Sequence, residues 1–247
     1  MKPAAKYGII AAIVVVVLVG VGAFLFLRDD SPDEVSLEAA TESLSGSSTT
    51  EGGGDTSAAP DGGVSGTWTV DTETGDFDFE SASGTFAGIR IQEELASIGS
   101  TTAVGRTGDV DGTVEIDGTT VSSADIEVDM TTITTNESRR DNKVQEALET
   151  GEFPTATFSL TEPIDLGAQA AEGEPVSVTA TGELTIHGVT QQVEIPLEAR
   201  LVDGTIVIVG SVEIAFSDYD VEVPSAPVVL SVEDVGTMEL QLLLTRS

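Results

Sequence analysis

The chain has 247 residues, of which 43 are acidic and ten basic, giving a formal net charge of −33 at neutral pH. A surface of that sign repels DNA, RNA and anionic headgroups and excludes nucleic-acid binding. With no cysteine present, disulfides, thiolate metal sites, cysteine nucleophiles and the acylated cysteine of a bacterial lipoprotein are excluded too.

The charge is uneven along the chain. All 43 acidic residues follow Arg28, whereas Lys2, Lys6 and Arg28 are three of the ten basic ones. Between Lys6 and Arg28, Gly8 to Leu27 is a run of 20 uncharged residues rich in Val, Ile and Leu. At about 1.5 Å per residue a helix of that length spans roughly 30 Å, the hydrocarbon thickness of a bilayer. Lysines before the run and carboxylates after it place the N-terminus in the cytoplasm and everything beyond Arg28 outside. The expected arrangement is a single-pass anchor over residues 1–28. The alternative is a signal peptide cleaved near Val21-Gly22-Ala23 and a secreted product.

Residues 29–66 are dominated by Ser, Gly, Thr, Ala, Asp and Glu, with Gly52-Gly53-Gly54 and Gly62-Gly63. Such a stretch buries too little surface to offset the entropy of ordering, so a flexible acidic tether is expected, with at most a transient helix over Glu34 to Leu44.

From Thr67 to Ser247 the pattern changes to a period of two. Ala124, Ile126, Val128 and Met130 alternate with Asp125, Glu127 and Asp129, and Ala156, Phe158 and Leu160 with Thr157, Ser159 and Thr161. The same alternation recurs over Val176 to Ile186, Val193 to Leu201, Ile206 to Phe216 and Met238 to Leu244. One apolar and one polar face per strand is the mark of antiparallel sheet. Asp117-Gly118, His187-Gly188 and Asp203-Gly204 supply tight turns between runs, so neighbours in sequence pair in space. One segment departs from the pattern. Arg139 to Thr150 places Val144, Ala147 and Leu148 on one helical face, with Asn136 or Ser138 as a start and Gly151 as a stop.

Catalytic signatures are missing. His187 is the single histidine and falls in a turn, no Gly-x-Ser-x-Gly elbow or His-Glu-x-x-His helix occurs, and Asp109-Val110-Asp111-Gly112 lacks the further ligands of a calcium loop. No enzymatic activity, metal or cofactor is expected.

Thr181 to Ile195 reads Thr-Gly-Glu-Leu-Thr-Ile-His-Gly-Val-Thr-Gln-Gln-Val-Glu-Ile, a hairpin that resembles one found in the YceI-like family. Ser138-Arg139-Arg140-Asp141 followed by Phe153-Pro154-Thr155-Ala156-Thr157-Phe158 resembles a second family segment. The Trp68-Thr69-Val70-Asp71 opening resembles the usual family start, and Ala103-Val104-Gly105-Arg106-Thr107 resembles actinobacterial members. Phe77 and Phe79 form an extra apolar alternation that simpler members lack. The resemblance implies an all-β fold, an extended antiparallel eight-stranded lipocalin-like barrel with one short helix, holding a polyisoprenoid or similar long-chain lipid. A prenyl quinone and a polyprenyl phosphate are both compatible with it.

A prenyl tail is held by buried methylenes, each worth about 0.8 kcal/mol. The expected lining is Phe86, Ile89 and Ile91, then Ile126, Val128 and Met130, then Phe158, Leu184, Ile186, Ile214 and Phe216. Arg106, Arg139, Arg140 and Lys143 are the candidates for a phosphate head, because Arg offers paired donors. The competing expectation is a barrel filled by its own side chains, serving as a protein-interaction or structural module.

Overall fold

The computed structural model describes residues 31–47, 63–95, 99–222 and 229–247. The expected membrane run, Gly8 to Leu27, and much of the expected tether lie outside them. Among the described residues no helix is long and apolar enough to cross a membrane.

Helix α1 (Leu37–Ser47) comes first, followed by β1 (Gly66–Val70), β2 (Phe86–Leu95), β3 (Gly99–Thr107), β4 (Val110–Asp117), β5 (Thr120–Asp129) and the short β6 (Thr134–Thr135). Helix α2 (Ser138–Ala147) leads to β7 (Thr155–Leu160), β8 (Ile164–Asp165), β9 (Val176–Ile186), β10 (Val189–Val202) and β11 (Thr205–Ala215). The chain closes with β12 (Val229–Val232) and β13 (Val235–Arg246).

Every pairing is antiparallel, and the order β1-β4-β5-β7-β9-β10-β11-β13 returns to β1. The result is a closed barrel of eight staves, two of them broken. β1 pairs with the end of β13 (Val70↔Leu244) and β2 resumes on the same strand at Phe86↔Gln241. β4 pairs with β1 and β3 with β2, so β3 and β4 form the second broken stave. Residues 71–85 loop out between β1 and β2. At their neck the Asp71 amide donates to the Leu243 carbonyl, and the Leu243 amide donates to Thr85 Oγ1. Phe77, within the loop, packs over Gly108 at the break in the second stave. A Cβ at Gly108 would meet the Phe77 ring at 2.7 Å.

The expected hairpins are present. His187 and Gly188 (φ +52° and +73°) and Asp203 and Gly204 (φ +48° and +88°) are two-residue turns with both residues left-handed, which matches the twist of the strands they join. The long helix-forming segment is α2, with two differences from expectation. Its N-cap is Glu137, without a side-chain cap bond, because Asn136 Oδ1 instead accepts from the Val104 amide and from Arg140. Its end is turned by Glu149 (φ +46°) rather than Gly151.

The expectation of one helix is corrected by α1, which sits where a tether is expected. Ala40 is buried against Val207, Val209 and Leu243, with Val35, Leu37 and Leu44 beside it. An isolated helix of this length is marginal in water, so it is the outward apolar side chains of β11 and β13 that hold it. Val64 is also buried and its carbonyl accepts from the Trp68 indole at 2.8 Å, so packed structure begins at least three residues before Thr67.

Candidate functional site

Within the barrel, inward residues from every stave surround a cavity of about 210 Å³. That exceeds the roughly 150 Å³ at which a dry apolar hole already takes up a benzene-sized guest. Ile89, Ile126, Val128, Met130, Phe158, Leu184, Ile186, Ile214 and Phe216 line it, as expected from alternation. Leu148 from the end of α2 and Tyr219 and Val221 from the β11–β12 connection complete the wall at one end. Small side chains at Ala87, Ala124, Ala156 and Ala180 are part of the lining and leave the interior underfilled.

Phe86 and Ile91 are not in the lining. Phe86 has the opposite parity to Ile89 within β2, and it lies in a pocket of its own, with the Phe77 ring 6.0 Å away and the Arg106 guanidinium 4.7 Å over its face. Ile91 pairs with Ala103 on the β2–β3 ribbon, past the last β13 partner, Arg90.

Three of the four basic candidates, Arg106, Arg140 and Lys143, are occupied elsewhere. Arg106 is fully buried on the outer face of the wall, 2.7 Å from Glu239 Oε1, and donates to the carbonyls of Phe79 (3.0 Å) and Asp33 (2.9 Å). Arg90 holds the other oxygen of Glu239 at 3.0 Å and donates to the Pro32 carbonyl. Arg106 reaches Glu239 across Gly88, where a Cβ would meet Arg106 Cγ at 2.8 Å. Burial pulls the Arg106 guanidinium below its ordinary value, while Glu239 opposes that shift. Two cations share one carboxylate, and main-chain oxygens of the N-terminal segment and of the 71–85 loop accept from further donors of both. Arg140 pairs with Glu93 and Asn136, and exposed Lys143 pairs with Glu146 at 2.6 Å. Arg139 belongs to α2, its side chain lying outside the described residues. Arg106, Arg140 and Lys143 do not touch the cavity.

His187 closes the end of the barrel at which α2 lies. Its Nε2 is 3.1 Å from Glu149 Oε2, its Nδ1 3.2 Å from the Tyr219 carbonyl, and its ring meets Phe153 edge-on at 4.7 Å. The β9–β10 turn, the segment after α2 and the connection carrying Tyr219 are thereby joined by one imidazole. With both ring nitrogens engaged, its role here is a clasp. Tyr219 was not among the residues expected from alternation, which stops at Phe216. The one available signal was an aromatic residue set among the acidic Asp218 and Asp220 just past a strand end. Among the described residues no group of three or more His, Asp or Glu is placed to hold a metal ion.

The model of the YceI-like domain matches residues 63–244. Curated proteins give no match. Among solved structures, the fold is similar to that of a polyisoprenoid binding domain from Saccharophagus degradans implicated in plant cell wall breakdown, with 16% identity and a TM-score of 0.50. That match covers 66% of this chain and 98% of the other. BcnA of Burkholderia cenocepacia is similar at 19% identity and a TM-score of 0.48, over 64% of this chain and 95% of that one. The YCEI protein of Campylobacter jejuni aligns at 19% identity and a TM-score of 0.45, over 56% and 82%. At these identities the likeness is one of fold.

Proposed function

The chain belongs to the YceI-like domain family, and from that premise we propose that it is a non-catalytic carrier that holds a long-chain isoprenoid lipid in its barrel. One observation carries the reading: a cavity of about 210 Å³ whose walls are almost wholly apolar and which no side chain fills. A tail threaded there removes many methylenes from water at about 0.8 kcal/mol each, so affinity needs little polar help. The polyisoprenoid-binding description of the Saccharophagus domain agrees in kind. The underfilled interior argues against the alternative of a solid interaction module.

The proposed arrangement is an anchor over residues 1–28, a connecting stretch over 29–66 and the barrel over 67–247, with the barrel outside the cell as in membrane-anchored actinobacterial members. It rests on the uncharged run Gly8 to Leu27 and the charge asymmetry around it. The test is to purify the full chain natively from a membrane-containing host, extract it with solvent and identify the extract by mass spectrometry. A stoichiometric isoprenoid supports carriage. An empty barrel that stays empty after incubation with prenyl quinones and polyprenyl phosphates would sink it.

A further inference from the structure

Among the described residues, the Tyr219 hydroxyl is the one buried side-chain polar atom without a hydrogen-bond partner. Tyr219 is 2% exposed and stands in the cavity wall, packed with Leu184 and Ile214. Folded proteins rarely leave a buried donor unpaired, because the group loses water and gains nothing in return. A hydroxyl left this way in a ligand cavity is explained by a partner that arrives with the ligand. Its backbone is placed as well, since the Tyr219 carbonyl stands 3.2 Å from His187 Nδ1.

Resting on the carrier reading above, we propose that Tyr219 is the polar anchor of the cavity, its hydroxyl donating to a neutral oxygen on the lipid's head. The ligand class is thereby narrowed to an isoprenoid bearing a carbonyl or hydroxyl oxygen, in preference to a bare hydrocarbon or a phosphate. Two further observations agree. Burial, reinforced by the Asp218 carboxylate, pushes the Tyr219 phenol above its ordinary value, which keeps it a neutral donor. Glu149 stands at the same end, bonded to the clasp histidine, and Asp218 and Asp220 flank Tyr219 in sequence. A phosphate would meet carboxylates there, whereas Arg106, Arg140 and Lys143 lie away from the cavity with partners of their own.

The test compares the full chain with Tyr219→Phe, which keeps the ring and removes only the donor. Binding is titrated by native mass spectrometry with a tetraprenyl menaquinone (carbonyl source), geranylgeraniol (hydroxyl source), geranylgeranyl phosphate and the hydrocarbon phytane. For the wild type, the menaquinone or geranylgeraniol binds more tightly than phytane and the phosphate. Tyr219→Phe weakens the preferred oxygen-bearing probe roughly five- to tenfold, the loss of one hydrogen bond, and leaves phytane unchanged. The empty variant melts at the same temperature or about 2 °C higher, because an unpaired hydroxyl is gone. A merely structural tyrosine would lower both stability and phytane binding. If Tyr219→Phe binds every probe as the wild type does, the anchor is overturned while the carrier stands. If the wild type binds none of the probes, the carrier reading falls and the anchor falls with it.

Discussion

The wall made by β2, β3 and β13 has two faces built from the same three strands, and they invert the usual assignment of charge and packing. Its inner face contributes Ile89, Met238, Leu240 and Leu242 to a hollow. Its outer face carries Arg90, Arg106 and Glu239, yet these are buried, roofed by the 71–85 loop and the segment before α1. The apolar face is thus the loosely filled one and the charged face is closely packed. Binary alternation tells which face a residue takes but not how tightly that face is filled. Tightness on the outside comes from distant segments that supply carbonyl oxygens, and looseness on the inside comes from small residues opposite large ones.

Substitutions on the two faces should therefore differ in kind. Glu239→Gln leaves two buried guanidiniums facing an uncharged partner and should cost about 3–5 kcal/mol, read as a fall in the urea midpoint. A loss under 1 kcal/mol would show that the outer cluster is not the tight face. Gly88→Ala drives a methyl into the Gly105 carbonyl, 2.5 Å from the new Cβ, and into the Arg106 stem. It should cost about 1–3 kcal/mol by the same measurement. Ala40→Asp puts a charge between α1 and the β11–β13 face and should cost about 1–2 kcal/mol, with cleavage in residues 37–47 accelerated in limited proteolysis. On the inner face, Val128→Phe adds volume that a packed core would reject. Here it enters a hollow, so stability should move by less than about 1 kcal/mol while lipid recovery by extraction collapses.

The smallest expected effect is at the neck of the 71–85 loop. Burial works to raise the Asp71 carboxyl, but hydrogen bonds from the Thr74 hydroxyl, the Thr74 amide and the Glu73 amide outweigh it and hold the group below its ordinary value. A carboxyl depressed in the folded state stabilises fully above its unfolded value, about 3.9, and that contribution is lost as pH falls through the folded value. Asp71→Asn should therefore be less stable than the wild type at pH 6, and the gap should narrow towards pH 3. A gap that widens on acidification would contradict the assignment.

The barrel was legible because period-two alternation and three turn dipeptides repeat along some 180 residues. Most of the cavity wall followed, because parity alone assigns inward residues once the strands are known. Phe86 was misplaced because Ile89 and Ile91 differ from it in parity, and only pairing with Gln241 fixes that. Helix α1 was legible only as a transient helix over Glu34 to Leu44, because its polar composition hid the docking, although its docking surface was written elsewhere. Ile206-Val207-Ile208-Val209 and Leu242-Leu243-Leu244 are apolar on consecutive residues, which marks strands covered on both faces. Tyr219 escaped because it lies past the end of the alternation, and a missing hydrogen bond is not written in sequence.

The grip of Arg90 and Arg106 on the Pro32 and Asp33 carbonyls also sets a distance. With the proposed anchor ending at Arg28, the three residue steps to Ser31 reach at most about 11 Å, far short of what a free tether over the whole of residues 29–66 would allow. If the proposed anchor holds, the leash is short, because the chain is already moored to the barrel wall at Pro32 and Asp33. Under that arrangement the barrel cannot roam the space outside the cell. Its encounters with lipid and with other proteins take place in two dimensions, within a layer scarcely thicker than the barrel itself.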